Sequence, residues 1–599
     1  MFQSFDSHAS PDQGPPRLEA LRQRLAGMGL AGFIVPRADV HQGEYVATRD
    51  ERLQWLTGFT GSAGFAVVLP DVAGAFIDGR YRTQVKGQVD LGVYTPVAWP
   101  EVKPGDWIRE KLAAGKVGFD PWLHTADEIA KIEVALDGSG VSLVSVAENP
   151  VDAIWADQPG APLGQAFAHP EELAGETSAA KRVKLAEGLV KAGQKATVIT
   201  LPDSLCWLVN IRGADVPKNP IVHGFAVLAD DGAVTLFVAP AKLDEAVRAH
   251  LGAGVTIRPV EEFVQGLQSL TGPVRVDRST APVAVADILK AAGIEVSWGD
   301  DPCRLPKACK NPAEIAATRE AHLRDGAAMV EFLRWLDEAA PKGGLTEISV
   351  VTALEGFRRA TNALHDISFD TICGSGPNGA IMHYRVTEES NRAVGANELL
   401  LVDSGAQYLD GTTDITRTIA IGDPGEEARV QYTRVLQGVI AISRVRFPKG
   451  ISGRDIDALA RFNLWVAGQD FDHGTGHGVG AFLSVHEGPQ RISRVSEVVL
   501  EPGMILSNEP GYYREGAFGI RLENLIVVET APPLGDMRPQ FSFENITFVP
   551  FDRRLILAAE LSPGERDWLN AYHAKVLEKI GPRVSGATLD WLKDACTPI

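Results

Sequence analysis

Two aspartates eleven positions apart, Asp403 and Asp414, first indicate chemistry in this sequence. The apolar run at 399–402 predicts a buried strand that delivers Asp403 at its end, and a second strand carries Asp414 beside Ile415. Two carboxylates on adjacent strands beside apolar faces repel each other and lose hydration. Because a cation between them removes both costs, the pair predicts a metal site.

Three histidines within fourteen positions, His473, His477 and His486, extend the candidate site, and His383 lies upstream. Glycines surround His477 in the segment HGTGHGVG, where they remove side chains from a backbone that turns or approaches another group. The segment lacks the lysine of a P-loop and the strand-to-helix context of GxGxxG. Alone, His477 fits a structural role as well as a metal site. Beside the two aspartates, the metal site is favoured.

Two glutamates complete a possible ligand set. Glu509 follows the predicted strand 504–508, and Glu523 lies among apolar residues at 519–528. An acid inside so apolar a segment is normally paired or bound to a metal. The alternative for either glutamate alone is an ion pair with Arg521 or Arg417.

Composition limits the partners and the compartment. The 599 residues exceed a single core, and a formal charge of −19 argues against nucleic acid and against anionic membrane surfaces as partners. Five scattered cysteines without a CxxC pair disfavour a disulfide framework or a thiolate zinc site. The start, MFQSFDSHASPDQGPP, lacks a basic and apolar signal, and no apolar run is long enough to span a membrane. We expect a cytoplasmic protein.

The elements that must position these residues form three domains. Residues 1–16 have the composition of a disordered tail, and alternating helix and strand patterns predict α/β domains at 17–160 and 161–311. The motif GFAV at 64–67 and again at 224–227 suggests a weak internal duplication; two unrelated α/β units are the alternative. The pattern changes at Pro312, which can begin a helix, so 312–599 forms the third and catalytic domain.

The segments around these residues resemble the metal-dependent pita-bread peptidases, and most closely the aminopeptidase P (Xaa-Pro aminopeptidase) family in its long three-domain form. The resemblance is carried by GTTDITRT, HGTGHGVG, EPGYYREGAFGIRLEN and SVHEG, and also by HQGEYVA, GFTGSAGFAVV, IDGRY, NIRGADVPKNP and PKGGLTEIS. It covers almost the whole chain beyond residue 16. It implies two related N-terminal α/β domains, followed by a pita-bread catalytic domain of α+β type that is itself a pseudo-symmetric duplication.

The resemblance implies a ligand set for two divalent ions: Asp403 on one ion, His477 and Glu509 on the other, with Asp414 and Glu523 bridging both. Independently of the family, four carboxylates and one neutral imidazole balance the charge of two divalent ions. Oxygen-rich ligation with one nitrogen favours manganese or a similarly hard ion over zinc. Manganese is also the family expectation.

The implied reaction is hydrolysis of the first peptide bond of peptides with proline at the second position, by a hydroxide that bridges the two ions. By resemblance, His383 and His486 line the substrate pocket and stabilise developing charge, and His473 supports the site from the next layer of residues. Glu509 is the expected proton shuttle as well as a ligand.

Arg80, in the motif IDGRY, has a family counterpart that reaches a neighbouring active site within a homodimer and touches the far end of the peptide. The alternative is a surface arginine in a turn. Dimerisation itself is an expectation taken from the family.

Other functions remain open within the same fold. A prolidase would cut only dipeptides, and a methionyl aminopeptidase is usually a bare catalytic domain, which the two preceding domains disfavour. Creatinase-like members and non-catalytic binding modules use the fold without metal. The intact set of five ligand residues argues against both.

Overall fold

Two six-stranded mixed sheets form the framework of residues His8–Arg304, one of the two units into which the chain divides. The computed structural model describes residues 1–599. The strands of the first sheet are, in spatial order, Tyr94–Ala98, Ala73–Ile77, Phe65–Val68, Gly32–Pro36, Ala114–Phe119 and Gly140–Ser145. Those of the second sheet are Val255–Arg258, Val234–Phe237, Phe225–Ala229, Ala196–Ile199, Val274–Val276 and Val296–Trp298.

The two sheets have the same topology. In each, the first strand along the chain lies inside the sheet, pairing antiparallel with the second strand on one side and parallel with a later strand on the other. The outer strand on each edge is parallel to its neighbour. Parallel neighbours require crossover connections, and helices supply most of them. This shared arrangement agrees with the duplication that the sequence suggests.

Helices connect the strands of this unit. Their bounds are Gly14–Gly27, Arg52–Thr57, Val85–Gln88, Pro104–Lys111, Ala126–Leu136, Glu171–Ala174, Ser178–Lys191, Pro202–Val209, Glu245–Leu251, Phe263–Gln268 and Val283–Ala291. A short helix, Arg304–Ala308, stands where the second unit begins. No helix of the chain combines the length and the apolar character that crossing a bilayer requires.

The second unit comprises Leu305–Ile599 together with Met1–Ser7. Its longest helix begins at Pro312, as predicted, and runs to Ala339; the Asn311 side chain caps it by accepting from the backbone of Glu314. The next helix, Glu347–Arg359, is capped by Thr346, whose side chain accepts from the backbone N–H of Ser349. The remaining helices are Glu426–Arg444, Gly453–Val466, Pro563–Ile580 and Gly586–Ala595.

Two sheets of this unit carry the candidate ligands, in the manner of a pita-bread fold. The three-stranded antiparallel sheet consists of Ile372–Ser375, Glu398–Ser404 and Ile415–Ile421. The six-stranded sheet consists of Phe447–Pro448, Gln540–Asn545, Asn524–Ala531, Ile505–Asn508, Gly476–Gly478 and Glu487–Ile492. Smaller ladders join Leu364–Ile367 with Ala406–Tyr408 and Gly411–Thr412, and Gly511–Arg514 with Phe518–Arg521.

The first residues of the chain differ from the disordered tail that their composition predicts for 1–16. Met1–Ser7 pack with residues 305–599 in the second unit, and the first α-helix begins at Gly14. Gln3 is buried and exchanges hydrogen bonds with the backbone of Thr371. Such contacts join residues more than 360 positions apart, so composition within the tail could not reveal them.

Candidate metal centre and active site

The two aspartates lie on neighbouring strands, close to the arrangement that the sequence predicts. Asp403 is inside the strand Glu398–Ser404, in register with Thr416. Asp414 immediately precedes the strand Ile415–Ile421 rather than lying within it. Both aspartates are buried. The antiparallel pairing therefore brings two carboxylates to the same end of one sheet.

A buried ion pair holds the turn that leads into Asp414. Asp325 accepts two hydrogen bonds from the Arg358 guanidinium, at 2.8 and 3.0 Å, and one from the Tyr408 hydroxyl at 2.8 Å. The hydroxyl of Thr413, the residue before Asp414, donates to the other oxygen of Asp325 at 3.0 Å. Because every member of this network is buried and bonded, it fixes the backbone from which Asp414 projects.

His477 faces the aspartates from the six-stranded sheet. Its Nδ1 donates to the carbonyl oxygen of Gly478 at 2.9 Å, which orients the ring. Its Nε2 lies 3.4 Å from Oδ2 of Asp414 and 3.4 Å from Oε1 of Glu509. His477 therefore presents one nitrogen to carboxylates from both sheets.

The two glutamates are fixed by neighbouring hydroxyls. Ser507 donates to Oε1 of Glu509 at 2.9 Å, and Thr416 donates to Oε2 of Glu523 at 2.7 Å. Glu523 also donates its backbone N–H to the carbonyl oxygen of Thr416 at 3.1 Å. Since Thr416 is the register partner of Asp403, this residue links the two sheets at the site.

The donor atoms converge as a cation site requires. One ligand atom each from Asp414, His477 and Glu523 lie within 4.8 Å of one another. Oδ1 of Asp403, Oδ1 of Asp414 and Oε1 of Glu523 are buried and have no hydrogen-bond partner in the protein. Unpartnered buried carboxylate oxygens are costly unless a cation binds them. Carboxylate oxygens with a single imidazole suit hard divalent ions, so the residues fit a metal centre.

The electrostatics of the metal-free site point the same way. Burial raises the pKa of Asp403 and of Glu509, and burial together with the charge of Asp414 raises the pKa of Glu523 well above its usual range. Burial lowers the pKa of His477, but the hydrogen bond to Asp414 and the charge of Glu509 outweigh it and raise that pKa to about 9. Without metal the site holds extra protons, which divalent ions would replace.

Neither glutamate follows the alternative of a structural ion pair with the named arginines. Arg521 donates to Oδ2 of Asp403 instead, at 2.6 and 3.2 Å. Arg417 donates to the backbone carbonyl of Glu523 and to the side chain of Asn524.

A chain of hydrogen bonds connects His473 to Asp403 through Tyr513, which the sequence patterns did not indicate, and Arg521, which they offered only as a partner for the glutamates. Nδ1 of His473 donates to a backbone carbonyl at 2.7 Å, so its Nε2 accepts from the Tyr513 hydroxyl at 2.8 Å. Burial raises the pKa of Tyr513 to about 12, which keeps that proton in place. Arg521 donates to the same hydroxyl at 2.7 Å and then to Asp403. The segment YYREGAFGIR contained the signal, because a hairpin over it places Tyr513 and Arg521 on one ladder.

The other predicted residues differ in how closely the structure ties them to the centre. The ring of His486 lies 4.3 Å from that of His477, so it is beside a candidate ligand. His383 lies in the connection between Gly376–Ala380 and Glu398–Ser404, and its pocket role stays a prediction. Arg80 belongs to the unit of residues 8–304, where Asp78 binds its guanidinium at 2.7 to 3.1 Å.

Comparison with protein families assigns most of the chain beyond residue 16. Residues 316–530 match metallopeptidase family M24, and residues 539–599 match the C-terminal region of that peptidase family. Residues 17–154 and 157–314 each match the creatinase/prolidase N-terminal domain. Together with the relatives described next, these matches show that the chain belongs to metallopeptidase family M24.

Relatives that match this chain over nearly its full length indicate which kind of family M24 peptidase it is. A probable Xaa-Pro aminopeptidase P of Tuber melanosporum is 39% identical over 97% of this chain and 99% of its own. Aminopeptidase P2 of Arabidopsis thaliana is 39% identical over 97% of this chain and 88% of its own. The chain is thus an aminopeptidase P member of the family, which confirms the predicted family and fold class.

A solved structure agrees over the same length. The X-prolyl aminopeptidase from Caenorhabditis elegans, described as a cytosolic enzyme with a di-nuclear active site, superposes with a TM-score of 0.94 at 34% identity. The match covers 98% of this chain and all of that one. The chain therefore shares its fold, over nearly its whole length, with an enzyme described as having a di-nuclear active site.

Proposed function

We propose that five side chains of the catalytic unit hold the two divalent metal ions of this metal-dependent Xaa-Pro aminopeptidase. Asp403 would hold one ion, His477 and Glu509 would hold the second, and Asp414 and Glu523 would serve both. The observation that carries the proposal is the convergence of Asp414, His477 and Glu523 within 4.8 Å, beside buried carboxylate oxygens that lack a partner. Four carboxylates supply the charge that two divalent ions balance.

The bound ions supply a polarised scissile carbonyl and a water whose pKa is lowered toward neutrality. Glu509, a carboxylate at the proposed metal centre, would accept the proton of the attacking water. In an Xaa-Pro bond the leaving nitrogen has no hydrogen, so it must gain that proton before it departs. Glu509 delivers it.

The three histidines outside the ligand set stabilise the developing negative charge and orient a metal ligand. His486, packed against the His477 ring, and His383 donate to the oxygen on which negative charge develops. His473 accepts from Tyr513 and so holds Arg521 in place on Asp403. This restricts the Asp403 carboxylate to one orientation.

Manganese is the proposed metal. Its preference for carboxylate oxygen with occasional imidazole matches the five donors, and no thiolate is among them. Elemental analysis of protein purified without chelator tests this choice: manganese at about two per chain agrees with it, and zinc in the same amount contradicts it.

We also propose a cytoplasmic homodimer. Apolar side chains recur along the exposed face of the helix Gly453–Val466, where Leu459, Phe462 and Val466 are 40%, 60% and 74% exposed. The opposite face of that helix packs into the core. An exposed apolar stripe of this kind suits a self-complementary contact between two copies. In that dimer Arg80, oriented by Asp78, would bind the far end of the peptide.

A peptide panel tests the function. The enzyme should release arginine from Arg-Pro-Pro and should cut neither Gly-Pro nor Met-Ala at a comparable rate, and chelator should abolish the activity. Cleavage of Gly-Pro alone would indicate a prolidase, and cleavage of Met-Ala alone a methionyl aminopeptidase. Either result overturns the proposed specificity.

A further inference from the structure

The N-terminal residues of the chain form hydrogen bonds with the segment that contains His383. We call residues 2–6 the strap, and residues 371–388 the His383 segment. Gln3 of the strap is 4% exposed, and its side-chain amide makes a paired contact with Thr371. The backbone N–H of Thr371 donates to Oε1 of Gln3 at 2.8 Å, while Nε2 of Gln3 donates to the carbonyl of Thr371 at 3.3 Å.

The strap also binds the other end of the same segment. The guanidinium of Arg385, two positions after His383, donates to the carbonyl oxygens of Ser4 and Asp6 at 2.7 and 2.8 Å. The backbone N–H of Glu388 donates to the carbonyl oxygen of Phe5 at 2.9 Å. The strap therefore holds the His383 segment at both ends.

The strap is itself anchored to the catalytic unit. The backbone N–H of Phe2 donates to the carboxylate of Glu355 at 2.9 Å, and the Arg359 guanidinium lies 4.3 Å from the centre of the Phe2 ring. The Phe5 side chain packs against the apolar core around the three-stranded sheet. Because these contacts hold the strap in place, the strap can in turn restrict the position of the His383 segment.

The Thr371 end of the His383 segment adjoins the candidate metal centre. Thr371 immediately precedes Ile372, which is the register partner of Asp403. The buried carboxylate of Glu347 also holds the segment, because it accepts from the Tyr384 hydroxyl at 2.9 Å and from the Asn378 amide at 3.0 Å. His383 lies directly before Tyr384 and two positions before Arg385, so contacts to Glu347 and to the strap both adjoin it.

We propose that the strap positions His383 for the peptide substrate, so that residues 2–6 are part of the functional enzyme. This inference rests on the pocket role proposed for His383. The part of the segment at 381–388 lies outside helix and strand, so contacts at its end restrict the positions that His383 can adopt. Small displacements of a group that stabilises developing charge cost much of its effect. Arg385 binds backbone carbonyls of the strap, which any sequence would offer. Gln3 and Phe5 also make contacts through their side chains, so these two residues determine which sequence can serve as the strap.

The test compares kcat/KM for an Xaa-Pro tripeptide among four enzymes that retain two metals per chain. Two of them alter the strap: Gln3→Ala, and a shortened chain that begins at His8 behind an initiating methionine. The third is His383→Ala, and the fourth combines His383→Ala with the shortened chain. Removal of the strap should lower kcat/KM about tenfold or more. The same removal should add little in the His383→Ala background. The matched control is Gln23→Ala, whose side chain bonds only Glu19 on an exposed helix surface.

Rescue separates positioning from a general loss of structure. The peptide Met-Phe-Gln-Ser-Phe-Asp-Ser, which lacks proline at its second position, should restore activity to the shortened enzyme when added in trans. The same peptide with alanine for glutamine should not. Wild-type kcat/KM in both strap variants, or full additivity with His383→Ala, overturns the inference. Wild-type activity of His383→Ala instead overturns the pocket role on which it rests.

Discussion

Arg521 donates two hydrogen bonds to one carboxylate oxygen of Asp403 and leaves the other oxygen, Oδ1, buried without a partner. A guanidinium thus sits behind a candidate metal ligand and fixes which oxygen faces the site. The same guanidinium binds the Tyr513 hydroxyl, which in turn donates to His473. Charge-assisted hydrogen bonds of this geometry orient the ligand and offset part of its charge.

Replacement of this arginine should weaken the metal centre. In Arg521→Gln the Asp403 carboxylate loses its orientation, and affinity for the ion that Asp403 binds should fall by about 10- to 100-fold. Titration of the metal-free protein with manganese measures the change. Arg514→Gln is the matched control, since Arg514 lies on the same hairpin with about half of its side chain exposed. Unchanged affinity in Arg521→Gln would contradict the role given to the pair.

Glu509→Gln should abolish turnover while the fold persists. The amide keeps the shape of the side chain but cannot accept and return a proton, so kcat should fall by about 10²- to 10⁴-fold. Steady-state kinetics with an Xaa-Pro tripeptide, beside circular dichroism, check both parts. Glu497→Gln changes an exposed glutamate and should leave kcat unaltered. A Glu509→Gln enzyme with wild-type kcat would show that the proton shuttle is another residue.

Asp414→Asn should cost both ions, because the aspartate is placed between them. Elemental analysis should give well under two ions per chain, and activity should be lost with them. Asp423→Asn, an exposed aspartate on the loop after the same strand, serves as the control. A fully metallated Asp414→Asn protein would mean that this residue binds neither ion directly.

Metal affinity should rise with pH. In the metal-free site the pKa of His477 is about 9, so below that value its imidazole carries a proton that must leave before Nε2 can bind an ion. Each proton displaced strengthens apparent binding up to about tenfold per pH unit, until the pH passes the pKa. Manganese titrations between about pH 6.5 and 8.5 measure this slope. A flat profile would show that binding displaces no proton from His477 or from the protonated carboxyls.

The proposed dimer is open to a direct test. Phe462→Asp places a charge in the exposed stripe of Gly453–Val466 and should convert the dimer to monomers, as seen by light scattering after size exclusion. Val134→Asp, at another exposed apolar residue on a different helix, should leave the mass unchanged. A wild-type protein that is monomeric at micromolar concentration would remove the proposal altogether.

Sequence patterns predicted the candidate ligands because their signals are local. Carboxylates at the ends of apolar strands, and a histidine among glycines, stand out without knowledge of the fold. The signal for the helix start at Pro312 was equally local, since it depends on a few neighbouring residues. The position of Asp414 shifted by one residue, which is ordinary for strand boundaries.

Features that depend on distant partners were beyond the reach of sequence patterns. Arg521 was considered as a partner for the glutamates, yet it binds Asp403, because a side chain's direction on a strand decides which of several nearby acids it meets. The chain from His473 through Tyr513 required the pairing of a hairpin with a separate loop. Gln3 with Thr371 is the extreme case, since nothing in a polar tail predicts a partner so far along the chain.

The central claim is that side chains from two sheets jointly hold two ions. Anomalous diffraction from crystals of the protein grown with manganese locates those ions directly. We expect two manganese peaks about 3.5 to 4 Å apart, surrounded by Asp403, Asp414, His477, Glu509 and Glu523. A single peak in a fully active enzyme, or peaks away from these five side chains, would contradict it.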